Sequence, residues 1–135
     1  MSPIEFDHSL LGQPIVIGRN TVRPEQIVDY LIASGEEEAF TAAPEAPPLF
    51  GIAFLGEVPP IGLQFGSRSF MAAQAYWPLQ PIRAGDELTT TTVLREVYEK
   101  TGRSGHLVFV VWETELTNGR GEPVARCRRT MVHQA

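Results

Sequence analysis

The chain has 135 residues, of which 43% are hydrophobic and 20% charged, the composition of one ordinary globular domain. A formal net charge of −5 argues against a nucleic-acid-binding protein, since such proteins present a basic surface. The one cysteine, Cys127, excludes an intrachain disulfide and a cysteine-based zinc site, and it favours a cytoplasmic location. We expect a single domain over residues 1–135, without a signal peptide or a membrane-spanning segment.

The first half of the chain predicts one short strand, one helix and an irregular connection. The apolar run PIVIG predicts a strand that ends at Gly18. Residues 21–34 predict a helix with Pro24 in its first turn, an apolar stripe at helical spacing, and Gly35 as its terminator. Residues 36–66 are rich in proline and glycine, and they predict little regular structure beyond a helical turn within LFGIAFLG.

The second half predicts a series of antiparallel strands. Four stretches of strand length, which begin SRSFMAAQ, DELTTTTV, GHLVFVVW and EPVARCRR, are rich in β-branched or alternating residues. The GHLVFVVW stretch is apolar on both faces, so we expect it in the middle of the sheet and covered on both sides. Asn118-Gly119 predicts a tight hairpin. This order of elements indicates an α+β fold with the helix packed on one face of the sheet.

Three motifs in the second half occur in the order and spacing of a known family. They are PIRAGDEL at Pro81–Leu88, KTGRSG at Lys100–Gly105 and TNGRGEPV at Thr117–Val124. Together with the N-terminal FDHSLLGQP, they resemble the MaoC-like hot-dog domains, and more narrowly the dehydratase domains of the fatty-acid-synthase type. The resemblance covers nearly the whole chain. It implies a single hot-dog domain, in which a curved antiparallel sheet wraps a central helix and which usually pairs into a dimer.

Family members with a complete active site hydrate 2-enoyl thioesters, or dehydrate 3-hydroxyacyl thioesters, on coenzyme A or acyl carrier protein. The resemblance implies no resident cofactor and no metal. In those members an Asp and a His share one water, because hydroxide and a proton must be delivered together. At the matching positions this chain has Glu36 for the Asp and Thr41 for the His. We do not expect the missing histidine to be replaced by His8, His106 or His133, which lie elsewhere in the sequence.

Some two-subunit dehydratases that act on very long acyl chains or steroid side-chain thioesters contain one hot-dog chain with the Asp and the His and a second chain without them. That second chain shapes the acyl pocket and often has a broken central helix. The short predicted helix, the Pro/Gly-rich residues 43–66 and the APPLFGIAF segment resemble this second type. The resemblance therefore implies a subunit of an (R)-specific 2-enoyl-CoA hydratase or 3-hydroxyacyl-thioester dehydratase, a hydro-lyase whose partner is a catalytic hot-dog chain. A homodimer stays open.

Two sets of side chains are candidates for substrate contacts. Large aromatic residues near small alanines indicate core or dimer-interface packing, and the alternative is an apolar wall for an acyl tail. These candidates are Phe50, Phe54, Phe70, Tyr76 and Trp77. Arg126 and Arg128 share one strand face and Arg129 the other. The first two are candidates for binding coenzyme A phosphates, or else ordinary surface charges. Cys127 is predicted to be a small core residue.

Two other classes of function stay open from the sequence. If burial raises its pKa, Glu36 could serve as the acid or base of a self-sufficient hydratase or thioesterase, with Thr41 beside it. The chain could also bind acyl thioesters without catalysing a reaction. The three consecutive glutamates that include Glu36 are most often simply a solvated acidic loop.

Overall fold

The structure, a computed structural model, describes residues 5–35, 45–63, 68–103 and 105–134. Within those ranges the chain forms one α-helix, two short 3₁₀ helices and a five-stranded antiparallel sheet. The 3₁₀ helices are His8–Leu10 and Phe50–Phe54, and we call the second one the core 3₁₀ helix. The other elements are β1 (Ile15–Thr21), α1 (Pro24–Ala33), β2 (Arg68–Pro78), β3 (Glu87–Gly102), β4 (Gly105–Thr117) and β5 (Pro123–Gln134).

The strands are arranged in the order β1-β3-β4-β5-β2, so β3, β4 and β5 form the predicted antiparallel meander. β2 pairs with β5 and is one edge of the sheet, and β1 pairs with β3 at the other edge. The predicted hairpin between β4 and β5 is present. It is stabilised by the Asn118 side-chain oxygen, which accepts hydrogen bonds from the backbone N–H groups of Arg120 and Glu122. The glycine of this turn with a left-handed conformation is Gly121, with a φ of 76°.

Two predicted element boundaries were wrong. β1 continues through Gly18 to Thr21, and it passes Gly18 by an irregularity in its pairing with β3. The helix begins at Pro24 instead of residue 21, because the preceding residues complete β1. Its predicted end is confirmed, since Gly35 adopts a φ of +78°, a conformation that suits glycine.

One half of the inner face of the sheet packs against α1 and the core 3₁₀ helix. Ile27 and Leu31 of α1 and Phe50 and Phe54 of the core 3₁₀ helix are buried there. The strands supply the opposing side of this cluster through Leu88, Leu116, Val124, Ala125 and Cys127. The prediction that Cys127 is a core residue is therefore confirmed. The hot-dog arrangement is also confirmed, with a helix of 10 residues.

The other half of the inner face is covered by irregular chain rather than by a helix. Trp112, Leu94 and Val110 form a second buried cluster with Ile61 and Val108. Residues 58–63 and the segment around Phe6 and Leu10 pack against it. The prediction that β4 is covered on both sides was only half right. Its inner face is buried. On the outer face Val111 is also buried, but Leu107 and Phe109 stay partly exposed, and the Phe109 ring is flanked by Tyr98 and Lys100 of β3.

Arg129 joins the sheet to the core 3₁₀ helix. Its side chain is only 7% exposed and donates to the Gly56 carbonyl at 2.7 Å, the Leu55 carbonyl at 3.4 Å and the Thr114 hydroxyl at 3.2 Å. Burial lowers the pKa of Arg129. Among the described residues no carboxylate pairs with it, and its Nε has no hydrogen-bond partner. The guanidinium thus satisfies carbonyls that the end of the short helix would otherwise leave unpaired.

Gly51 lets the core 3₁₀ helix lie directly against β2. A Cβ at this position would overlap the Tyr76 hydroxyl and lie 3.1 Å from Ile82 Cδ1 and from Leu116 Cδ1. The Tyr76 hydroxyl is buried and forms no hydrogen bond of good geometry within the described chain. Burial, and then the nearby Cys127 and Tyr30, raise the pKa of Tyr76 to about 12. The phenol is therefore neutral at physiological pH and acts as a packing element.

Replacing Arg129 by methionine should destabilise the fold. The change leaves two buried carbonyls and the Thr114 hydroxyl without their donor, and each such loss costs about 1–3 kcal/mol. We expect the free energy of unfolding, measured by urea denaturation, to fall by at least about 2 kcal/mol. Arg128→Met at the exposed neighbouring position is the matched control and should change it by less than about 0.5 kcal/mol. Equal effects at the two positions would contradict the role assigned to Arg129.

Gly51→Ala should destabilise the protein by about 1–3 kcal/mol, the usual cost of overpacking a core. Tyr76→Phe alone should be nearly neutral, because it removes a hydroxyl that forms no hydrogen bond of good geometry within the described chain. In the Tyr76→Phe background, Gly51→Ala should cost clearly less, since the overlap with the hydroxyl is gone. Unfolding free energies of the four proteins measure this coupling, and strictly additive effects would show that the contact does not position the helix.

Candidate functional site

The two residues at the family's catalytic positions, Glu36 and Thr41, lie outside the described residues, so their roles stay predictions. The structure does place both ends of the segment that contains them. Gly35 ends α1, and Glu45 begins the next described segment. Glu45 forms an ion pair of 3.0 Å with Arg83, and the following residue donates to the Ile82 carbonyl at 2.7 Å. The segment therefore starts beside α1 and ends beside the connection from β2 to β3.

The three histidines lie at the other half of the sheet or in the N-terminal segment. His106 Nε2 is 3.4 Å from Glu99 Oε2 near the β3–β4 hairpin, and burial lowers the pKa of His133 near the end of β5. Glu99 lies eleven residues along β3 from Leu88, which belongs to the cluster containing α1. At about 3.3 Å per residue this is about 36 Å along the strand. The His106–Glu99 pair is thus remote from α1 and its following segment.

The aromatic candidates for an acyl wall fall on two opposite faces of the sheet. Phe50 is 2% exposed and packs between Tyr30 and Phe54 at ring-centroid distances of 5.5 and 5.3 Å. Tyr76 joins them on the inner face. Phe70 and Trp77 are each 50% exposed, and they alternate onto the outer face of β2. The five residues do not form one wall within a single chain, and their contact with a substrate stays a prediction.

The three arginines of β5 lie on the two faces of the sheet that strand alternation predicts. Arg126 and Arg128 lie on the outer face and line a hollow of ≈ 690 Å³, whereas Arg129 is buried on the inner face. Arg126 Nε donates to Glu115 Oε2 at 3.0 Å. Arg128 has no ion pair with any residue that the structure describes. The sequence had singled out Arg126 and Arg128 but not Arg95, which lies in the same hollow and donates to Glu113 at 3.0 Å.

The sequence predicted the strand β2 but not its position at an edge of the sheet. It is an edge strand of eleven residues, and only Tyr76 among them is even half-buried. Large apolar side chains are exposed on its two faces, with Phe70 and Trp77 on the outer face and Met71 on the inner face. The aromatic residues among alanines were a signal for packing, but a single sequence does not tell whether the partner is the same chain or another.

Neither 3₁₀ helix nor α1 is long and apolar enough to cross a membrane, within the ranges that the structure describes. In the same ranges, no three His, Cys, Asp or Glu side chains come together as a metal site would require. Within these ranges, the outer face of the sheet and β2 present arginine–glutamate pairs, exposed aromatic rings and an unpaired strand edge.

The comparisons with known proteins agree with this architecture. The MaoC-like dehydratase from Rhodospirillum rubrum is similar with a TM-score of 0.64 and 19% identity, covering 96% of this chain and 97% of that chain. The ChsH1-ChsH2 complex from Mycobacterium tuberculosis matches with a TM-score of 0.66 and 15% identity, over 91% of this chain and 83% of that chain. The C-terminally truncated HadBC (3R-hydroxyacyl-ACP dehydratase) complex from the same organism matches with a TM-score of 0.63 and 20% identity, over 93% and 98%.

At these identities the solved structures establish a shared fold. No curated protein matches the sequence. A family model described as the FAS1-like dehydratase domain region matches residues 9–127. Because this match spans most of its length, the chain belongs to the FAS1-like dehydratase-region family.

Proposed function

We propose that this chain is the pocket-shaping subunit of an (R)-specific 2-enoyl-CoA hydratase or 3-hydroxyacyl-thioester dehydratase. A second hot-dog chain would pair with it and supply the Asp and His that hold the reacting water. The observation that carries this proposal is the exposure of β2 along nearly its whole length and on both faces. The reaction would be that of a hydro-lyase, with the acyl thioester as substrate and no resident cofactor.

The exposed edge of β2 supports pairing with another strand. An edge strand presents a row of unpaired N–H and C=O groups, and natural monomers usually blunt such edges with charges, proline or a cover. β2 instead carries Phe70, Met71 and Trp77 exposed between its two ends. A partner strand added to β2 would cover the apolar side chains on the two faces together with the backbone edge. Two of the similar solved structures, ChsH1-ChsH2 and HadBC, are complexes, as their names state.

The short core 3₁₀ helix supports a pocket-shaping role. The core 3₁₀ helix has only five residues, Phe50–Phe54, and irregular chain follows it as far as residue 63. The inner face of β2 beyond Tyr76 is exposed, including Met71 and Gln74. In a paired assembly this uncovered strip would face the partner and offer an apolar surface to an acyl chain. Phe50 and Phe54 would then fix the backbone beneath the pocket, while the exposed side chains would meet the acyl group.

We further propose coenzyme A as the carrier, with Arg126 and Arg128 binding its phosphates. An acyl carrier protein, whose partner surface would need to be basic over a wide area, fits less well with a chain of net charge −5. The same net charge and the single cysteine support our expectation of a cytoplasmic protein that binds no nucleic acid.

Charge placed on β2 should prevent assembly without unfolding the chain. Phe70→Lys combined with Met71→Lys changes two side chains that are 50% and 46% exposed, so the isolated fold should lose less than about 1 kcal/mol. Sedimentation and size-exclusion chromatography of the protein purified from its native host should show loss of the assembly. The matched control is Ile32→Lys on α1, which is 49% exposed and should leave the assembly intact. Equal disruption by the control would place the interface elsewhere.

The purified chain alone should hydrate crotonyl-CoA, or a longer enoyl-CoA, at no more than a trace rate. Activity should appear when a hot-dog chain carrying Asp and His is added. Absorbance of the enoyl thioester measures the reaction. Full activity of the pure homodimer would overturn the proposal.

The role of Glu36 separates this proposal from a self-sufficient enzyme. Under the two-chain proposal, Glu36→Gln and Thr41→Ala should change kcat of the assembly by less than about threefold, because neither side chain moves the proton. Removing a general acid or base typically costs about 100-fold or more. A loss of that size for Glu36→Gln, with the unfolding free energy unchanged, would assign the chemistry to this chain.

A further inference from the structure

Along its open edge, the inner face of the sheet changes from apolar to polar. Residues directly opposite each other on paired strands share a face. The β2–β5 pairing therefore continues the inner face beyond Tyr76 toward the first residue of β2. We call the inward-facing side chains there the edge strip: Ser69, Met71 and Gln74 on β2, and Met131 and His133 on β5. The three β2 members are exposed and the two β5 members are partly buried.

The middle of the edge strip is apolar. Met71 lies opposite Met131 and is 46% exposed, while Met131 packs against the second buried cluster. Methionine side chains are flexible and fit irregular apolar shapes. At the end nearer to Pro78, the Gln74 side chain is within hydrogen-bonding reach of the Cys127 thiol. The two methionines therefore offer an adaptable apolar surface to a hydrocarbon chain.

The end of the edge strip farther from Pro78 is polar. Ser69 and His133 lie directly opposite each other there. In the part of the chain that the structure describes, neither side chain forms a hydrogen bond or an ion pair. Burial lowers the pKa of His133, so its imidazole is neutral at physiological pH. A neutral imidazole donates a hydrogen bond through one ring nitrogen and accepts one through the other.

Assembly through β2 would remove this polar pair from water, because the partner strand would lie beside Ser69. A hydroxyl and an imidazole that lose water without gaining another hydrogen bond are unfavourable. An oxygen atom on the ligand would accept from both groups. We propose that Ser69 and His133 bind an oxygen of the acyl chain, so that the substrate is an acyl thioester with a hydroxyl or keto group beyond an apolar stretch. This inference rests on the proposed two-chain function and names the substrate class of the same pocket.

The surroundings of this polar pair favour an uncharged oxygen over a carboxylate. His133 is neutral, and the guanidinium of Arg129 on the same face of β5 is buried and already donates to the Leu55 and Gly56 carbonyls. A carboxylate at the pair would therefore lack a counter-charge. A plain hydrocarbon chain would leave both polar groups unsatisfied. Sites built to hydrogen-bond a substrate oxygen discriminate strongly against analogues that lack it.

Hydration of tail-substituted substrates by the assembly purified from its native host tests this specificity. The substrates are enoyl-CoAs of equal length whose tails carry a hydroxyl or keto group at successive positions, a terminal carboxylate, or no substituent. At one or more positions, the hydroxyl or keto group should raise kcat/KM at least about tenfold over the unsubstituted chain, and the carboxylate should not. The inference is wrong if no hydroxyl or keto substrate exceeds the unsubstituted one, or if the carboxylate is preferred.

Matched variants locate the contact. His133→Leu should abolish the preference, and Ser69→Ala should weaken it, while His133→Gln, which keeps a donor and an acceptor, should retain part of it. His106→Leu is the control, because this histidine lies at the same end of the sheet but on β4, where it pairs with Glu99. It should leave the preference unchanged. A preference that survives both His133→Leu and Ser69→Ala would place the oxygen elsewhere and reject this site.

A binding measurement separates this inference from the two-chain proposal. In the assembly, the imidazole proton resonances of His133, assigned with His133→Gln, should shift when a saturated acyl-CoA with the preferred hydroxyl or keto group is added. The unsubstituted acyl-CoA of equal length should not shift them. These ligands undergo no hydration, so the result does not depend on turnover. Failure of the assembly to hydrate any enoyl-CoA would refute the two-chain proposal, whereas hydration without preference, or His133 resonances that do not respond, would refute the oxygen site alone.

Discussion

The hydrogen bonds from Arg129 to the end of the core 3₁₀ helix are the constraint on which the rest of the inner face depends. A helix of five residues has almost no hydrogen bonds of its own, and its terminal carbonyls must find donors elsewhere. Arg129 reaches the Leu55 and Gly56 carbonyls, and Thr90 donates to the Phe54 carbonyl at 2.7 Å. The sheet thereby holds by polar contacts an element that is too short to hold itself.

Burying the Arg129 guanidinium is energetically unfavourable. A buried guanidinium without a carboxylate keeps its desolvation penalty, and only oriented carbonyl dipoles and a hydroxyl offset it. A longer helix would need no such clamp, because its inner carbonyls would be satisfied along its own axis. The short core 3₁₀ helix also covers less of the sheet. Beyond Tyr76 the inner face of β2 is exposed, and none of the described residues covers it, so the feature that requires Arg129 is also the feature that exposes the proposed interface.

Much of this fold follows from local sequence rules, and the exceptions have physical reasons. The β-branched run at Thr89–Thr92 and the Asn118 turn were sufficient to predict the meander, because alternation and turn chemistry act over a few residues. Alternation also predicted that Arg129 faces away from Arg126 and Arg128. It did not predict that Arg129 would be buried, since that depends on carbonyls 73 and 74 residues away in sequence.

The candidate site was harder to predict from the sequence than the fold was. Phe50, Phe54, Phe70, Tyr76 and Trp77 look equivalent as apolar residues, and only the pairing of β2 with β5 sorts them onto two faces. The close approach of Gly51 to Tyr76 is likewise a tertiary contact with no local signal. Glu36 and Thr41 were identified by the resemblance alone, and they lie outside the described residues.

Arg126 and Arg128 lie on the outer face of the sheet, whereas the proposed acyl pocket lies on the inner face. One acyl-coenzyme A molecule would therefore have to contact both faces. If β2 pairs with a partner strand, the sheet becomes continuous, and nothing can pass through it between the outer hollow and the inner pocket. The open route is around the end of the strand, where Pro78 and Pro81 bound the connection to β3. Proline lacks an N–H and ends sheet pairing, so these residues keep the partner strand from extending over the route. The same end of β2 carries Trp77, and the ion pair between Arg83 and Glu45 ties the connection to the segment that holds the family's catalytic positions. Pairing and ligand passage can therefore coexist, because they use different ends of one strand.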